Sequence, residues 1–281
     1  MLTTRADDIE QSFEAGRVIH AVMPPHAPSG FTSLTPPISV GISFSGHRRA
    51  ARQYGNGAVS DSDISPGDAF VVASADLRWL DVKESSDALE VQFDASYLLS
   101  VARDLGAPGV FTLPDVNGAP DAIVWGIAAS LRAALRGELS MSDVQASTLL
   151  LRLTVHVLCK HASLSPPRAE GRKLDSRRLD RVRDYIDANI GHRLAIRALA
   201  KVAAFSPYHF ARSFRRATGI PPHVYVTARR MERARQLTLQ TDLPTTAIAQ
   251  LVGYCQIAHF RANFVRHFGV TPRLLRSRHA C

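Results

Sequence analysis

Cysteine is scarce in this 281-residue chain: Cys159, Cys255 and Cys281 stand alone, with no CxxC pair. An odd, scattered set supports neither a disulfide framework nor a structural zinc site. No stretch approaches the ~20 consecutive apolar residues of a membrane-spanning helix. The first residues, with Asp7, Asp8 and Glu10, hold no apolar core of the signal-peptide kind. These absences predict a cytoplasmic protein with no membrane partner. Histidine is isolated as well. His20, His26 and His47 lack the His-x-His pair and later carboxylate that a metal-binding barrel enzyme requires, because a metal needs several converging donors. The expectation is therefore no catalytic residue, no metal and no cofactor.

Acidic residues are short in one half only. Lys173–Cys281 carries 20 Lys+Arg against 6 Asp+Glu, a net +14, while Met1–Arg172 carries 14 against 19, a net −5. The length suits two domains. A mildly acidic front half and a strongly basic back half suggest one domain for a polyanion and one for something else.

In the front half, Ile38–Phe44, Ala69–Ala73, Leu77–Val82 and Ala88–Phe93 read as short strands. Turn signals at Gly55-Asn56-Gly57 and Ser65-Pro66-Gly67-Asp68 separate them. The pattern predicts a small antiparallel sandwich or barrel. Helical signals start near Tyr97. Ile123, Ile127, Leu131 and Leu135 form one apolar stripe, and Ser142–His161 is apolar over more of its circumference. That wide surface suits core packing, with a dimer seam as its rival. Gly46-His47-Arg48-Arg49 reads as a solvated basic turn, with His47, Arg48 and Arg49 the candidates for an anionic effector. The polar stretch 163–174 marks the domain boundary.

The back half carries one unit twice. His209-Phe210-x-x-x-Phe214-x-Arg216-x-x-Gly219-x-x-Pro222 returns as His259-Phe260-x-x-x-Phe264-x-Arg266-x-x-Gly269-x-x-Pro272. Leu199-Ala200 and Ile248-Ala249 precede the copies, followed by Phe205 and Tyr254. Leu179, Val182, Ile186 and Ile190 mark a leading helix that Gly191 could stop. Ser206-Pro207 is a helix start, a hydroxyl cap followed by proline at the first helical position. Phe210 and Phe214 face inward, leaving Tyr208, Ala211, Arg212 and Arg215 outward. That division is what a recognition helix needs. Gly253 sits where a turn needs positive φ. A helix from Pro222 to about Leu239 joins the copies, with Val224, Ala228, Met231 and Leu237 on one side and Arg229, Arg230, Arg233 and Arg235 over the rest. At ~1.5 Å per residue it spans ~25 Å, long enough with its flanking helices to set two readers about one DNA turn, ~34 Å, apart.

These residues resemble the AraC/XylS family of transcription regulators over about Leu179 to Arg278. The fullest stretches are Ser206-Pro-Tyr-His-Phe-x-Arg-x-Phe-Arg-Arg-x-x-Gly219, Arg230-Met-Glu-Arg-Ala-Arg-x-Leu237, and Ile248-Ala-x-x-x-Gly-Tyr254 through Pro272. The front half is similar, more weakly, to the family's cupin-like β-barrel sensor domain. The resemblance implies an α+β chain of two domains, 1–165 for sensing or dimerisation and 177–281 for a tandem helix-turn-helix, with 166–176 as linker. It implies DNA contacts at Tyr208, Ala211, Arg212, Arg215 and Arg216, and at Gln256, Ile257, Arg261, Ala262 and Arg266. It also implies an activator on promoter DNA, a small-molecule effector, RNA polymerase as a partner, and a homodimer. The chain departs from the family at Ala195 (a hydroxyl cap), Ala204 (a turn glycine), Ala258 (Ser), Ala262 (Arg) and Leu275 (an aromatic). These losses predict that the first copy carries more of the specificity. A constitutive dimeric DNA binder and a barrel-type enzyme with a basic accessory domain remain the alternatives.

Overall fold

The computed structural model describes residues 8–23, 33–107, 111–164 and 174–279. The chain groups into two compact units, Met1–Leu139 with Leu149–Pro167, and Ser140–Thr148 with Arg168–Cys281. Most of the stretch read as a linker lies outside the described residues, as do His26 and Cys281.

The first unit is antiparallel wherever its strands pair. Its elements are β1 (Ile9–Phe13), β2 (Gly16–Met23), β3 (Ser33–Thr35), β4 (Ser39–Ser43), β5 (His47–Tyr54), β6 (Ser60–Ile64), β7 (Asp68–Val72), β8 (Leu77–Asp81) and β9 (Ser86–Phe93). α1 (Ala95–Asp104), β10 (Val116–Pro120), α2 (Ala122–Leu135) and α3 (Asp143–His161) follow. Six strands form one sheet in the order β1-β2-β9-β4-β7-β10, and four form another in the order β3-β8-β5-β6. The sheets face each other. Phe70 of β7 meets Trp79 of β8 edge-on at 5.3 Å, and Ile42, Val72, Leu77 and Leu89 are buried. On β9, Leu89, Val91 and Phe93 alternate inward with period two, as a half-covered strand should.

The α2 stripe is corrected by its own geometry. Ile127 and Leu131 are buried, but Ile123 is 48% exposed. Steps of four residues advance ~40° past a full turn, so a strict i, i+4, i+8, i+12 row drifts off the buried face. Val124, Ile127, Ala128 and Leu131 are the residues that pack. Arg132 fastens the helix to the sheet, lying 3.7 Å from the Phe44 ring and donating to Asp87 at 2.9 Å. Asp121 caps α2 through the Ile123 and Val124 amides and also accepts from His156 and Lys160 of α3. In the same helix Leu150, Leu151, Leu153, Val157 and Leu158 are buried, so its broad apolar surface is core.

The second unit's remaining elements are helical: α4 (Ser176–Ala188), α5 (Ile196–Ala203), α6 (Pro207–Thr218), α7 (Pro222–Gln240), α8 (Thr245–Leu251), α9 (Ile257–Phe268) and α10 (Pro272–His279). Asn189, not Gly191, caps α4. Gly191 is needed for closeness instead, since a Cβ there would stand 2.6 Å from the Leu251 carbonyl oxygen. No helix among the described residues is long and apolar enough to cross a membrane.

Candidate nucleic-acid interface

The two copies repeat in three dimensions down to single backbone bonds. Phe205 N donates to Ala200 O and Tyr254 N to Ala249 O, both at 2.9 Å. The turn position one residue earlier is left-handed in both, Ala204 at φ +54° and Gly253 at φ +79°. Both α6 and α9 end on a left-handed glycine, Gly219 and Gly269, where a missing Cβ removes the steric cost. Phe210, Phe214, Phe260 and Phe264 are fully buried, with ring centroids 5.3 Å apart in the first pair and 5.7 Å in the second. Each pair anchors its helix from behind and turns the opposite face to solvent.

That outward face is where most of the candidate DNA contacts lie. On α6, Arg212, Arg215 and Arg216 are exposed and Tyr208 and Ala211 half-buried. Arg212 Nη1 donates to Tyr208 Oη at 3.1 Å, which holds the two side chains as a pair one helical turn apart. On α9, Arg261, Ala262 and Arg266 are exposed, and Arg266 Nη1 reaches Asn263 Oδ1 at 3.4 Å. Gln256 is exposed at the N-cap and makes no capping bond. Ile257 packs against the unit's apolar core, so part of its side chain is committed inward. Ser206 does cap α6, accepting from the His209 amide, while Ala195 leaves α5 without a side-chain cap.

The charge on these faces belongs to arginine, which stays protonated across the ordinary pH range. Two neighbouring titratable groups, His259 and Tyr254, are held neutral. Burial, with Arg266 and Arg230 nearby, pushes the His259 imidazole down to about 4. Burial likewise pushes the Tyr254 phenol up to about 12.

One arginine expected on the solvated side of α7 is instead interior. Arg230 is buried and donates to three carbonyls: Ile190 O at 3.1 Å, His192 O at 2.7 Å and Gly253 O at 3.3 Å. It thereby joins the α4–α5 connection to the turn of the second copy. Gly253 is doubly constrained, because a Cβ there would meet the Arg230 guanidinium at 2.8 Å. The apolar side of α7 is also shifted: Val226, Met231 and Ala234 are buried, while Val224 is 40% exposed. Arg276 of α10 plays a similar part, donating to Thr238 O and Leu243 O at the end of α7. Periodicity could not separate such residues from solvated arginines, since both occur on a polar-looking face.

The candidate effector residues in the first unit do not form one patch. His47 opens β5 and is 4% exposed, and burial lowers its pKa. Arg48 and Arg49 point to solvent, where Arg49 lies 3.8 Å from Asp61. The expected basic turn is a strand start with a register shift between His47 and Ala50, which leaves Arg48 and Arg49 both outward. His47 lines a cavity of about 80 Å³ between the sheets. No group of three His, Cys, Asp or Glu side chains among the described residues is placed to hold a metal ion.

Residues 199–278 match the family model described as a helix-turn-helix domain. The chain is 38% identical over 88 residues to the RCS-specific HTH-type transcriptional activator RclR of Escherichia coli (strain K12), covering 31% of each protein. It is 31% identical over 152 residues to the regulatory protein PocR of Salmonella typhimurium, covering 50% of each. The chain thus spans half or less of these relatives. A solved AraC-type DNA-binding protein from Chromobacterium violaceum is 30% identical, covering 37% of this chain and 93% of that one at a TM-score of 0.36.

Proposed function

We propose that this chain is a sequence-specific, DNA-binding transcription regulator, an activator, that reads adjacent major grooves with α6 and α9. The observation that carries the reading is the repeated pairing of a buried Phe–Phe anchor with an exposed arginine face, set in a region of net charge +14. An anchored helix with arginines outward can reach phosphates and guanine edges together. The names of the relatives, an activator and a regulatory protein, point the same way. In this reading Tyr208, Ala211 and Arg212, with Gln256, Arg261 and Ala262, face base edges, while Arg215, Arg216 and Arg266 serve the backbone. The first unit supplies effector sensing and dimerisation, and RNA polymerase is the partner at the promoter.

The test is enrichment of bound genomic fragments followed by footprinting of the best site. The expected footprint has two major-groove contact centres about 10 base pairs apart. Equal affinity for operator and scrambled DNA, with only salt controlling binding, would reduce the chain to a nonspecific polyanion binder.

A further inference from the structure

The cavity between the two sheets of the first unit is made by missing side chains. In the six-stranded sheet Glu90 of β9, Gly41 of β4 and Phe70 of β7 stand in one cross-strand row. Two residues along, the row on the same face is Ala21, Ala88 and Ser43. All six line the space of about 80 Å³. A Cβ added at Gly41 would come no closer than 3.9 Å to the atoms around it, the nearest being the Leu89 carbonyl oxygen. Glycine weakens a strand interior, and a larger residue fits here, so its presence marks the close approach of something else. Neighbouring strands lie ~4.8 Å apart, which makes the slot over Gly41 roughly 10 Å from the Glu90 backbone to that of Phe70. At ~30 Å³ per water molecule the cavity takes a guest of only a few heavy atoms.

The polar part of the lining is rich in acceptors. Glu90 is the one carboxyl group among the described lining residues, and His47, the other titratable one, is kept neutral by burial. The buried guanidinium of Arg52 is not among them, and it donates to Ser62 Oγ at 2.7 Å. Glu90 accepts from Gln92 Nε2 at 2.6 Å and from Thr35 Oγ1 at 2.9 Å. A carboxylate accepts about four hydrogen bonds, so half of its capacity is open. Thr35 and Ser43 spend their hydroxyl hydrogens on Glu90 and on the Ser45 carbonyl, and only lone pairs are left to offer a guest. Burial pushes the Glu90 carboxyl up, against its two hydrogen bonds and the charge of Arg17. Arg17 itself donates to Gln92 and not to Glu90.

We propose that this cavity binds a small primary ammonium with a short apolar body, the nitrogen on Glu90 and the body over Gly41 against Phe70 and Leu77. The inference rests on the reading of the first unit as a sensor and names its ligand class. An ammonium brings three donors to a site with spare acceptors, and it supplies the positive charge that a buried carboxylate lacks. A carboxylate guest would meet the like charge of Glu90. A neutral alcohol would bring a single donor and no charge.

The test titrates the full chain by calorimetry at neutral pH with propylammonium, with 1-propanol, its neutral counterpart, and with propionate. Propylammonium should bind, propanol roughly 10- to 100-fold more weakly, and propionate not at all. Glu90→Gln keeps the shape of the site and should bring propylammonium down to the level of propanol. Gly41→Val puts methyl groups into the slot and should abolish binding of both. That variant should melt at or above the wild type, because valine suits a strand and fills open space. Equal binding of ammonium and alcohol, or a folded wild type that ignores propyl-, butyl- and isobutylammonium alike, overturns the proposal. So does either variant keeping the wild-type affinity for propylammonium. If a variant does not fold, the contrast between ammonium and alcohol on the wild type decides alone. Operator binding is measured in parallel. A wild type that prefers its operator but takes no ammonium refutes this site and leaves the regulator standing. One that takes propylammonium through Glu90 but shows no DNA sequence preference refutes the regulator and leaves the site.

Discussion

Ala204 holds a left-handed backbone, φ +54°, at the turn position where the second copy has Gly253. An L side chain there costs ~1–2 kcal/mol, part of which glycine's extra unfolded-state entropy offsets. Ala204→Gly should therefore raise stability by about 0.5–1 kcal/mol, read as a higher urea midpoint at unchanged slope. A drop in the midpoint would mean the alanine methyl makes contacts worth more than the strain. Arg230 is the opposite case, a residue whose value lies in its three carbonyl partners. Arg230→Met should cost about 2–4 kcal/mol, because those acceptors lose charge-assisted bonds inside the fold. The departure at Ala204 was legible in the sequence, since a glycine recurs at the matching point of the other copy. The role of Arg230 was not, because its acceptors lie 40, 38 and 23 positions away along the chain.

The helices α6 and α9 share a scaffold but not an outward face. α6 begins with a capping serine and carries the Tyr208–Arg212 pair. α9 begins at an uncapped Gln256, after a connection of residues 252–256 against 204–206 in the first copy. A better-ordered helix start loses less entropy on meeting DNA. Arg212→Ala should therefore cost about 1–3 kcal/mol of operator discrimination, and Arg261→Ala less, in competition binding against point-mutated sites. The reverse order would show that the second copy dominates. Element detection from sequence was uneven for a physical reason. β4, β7, β8 and β9 were legible in their β-branched or apolar runs and turn signals. β1 is almost wholly exposed and β10 reads Val-Asn-Gly-Ala-Pro. Neither has an apolar rhythm, and both exist because an edge of the sheet offers backbone bonds, β1 to β2 and β10 to β7.

At the scale of the whole molecule, the asymmetry of charge is the feature with the plainest consequence. A DNA-binding region of net +14 that engages ~6–10 phosphates should lose ~10³–10⁵ in affinity between about 50 and 200 mM salt. A flat salt response would place binding on groups other than the arginines. The sequence by itself determined the repeat, its four buried phenylalanines, its glycine stops and the sign of its charge. Local periodicity and composition encode all of these. Only the tertiary structure decided which arginines face solvent and which lie inside. It turned Arg230 into a fastener, put His47 in the core and left Arg52 buried. Burial is set by neighbours brought from distant parts of the chain, and no local pattern records them.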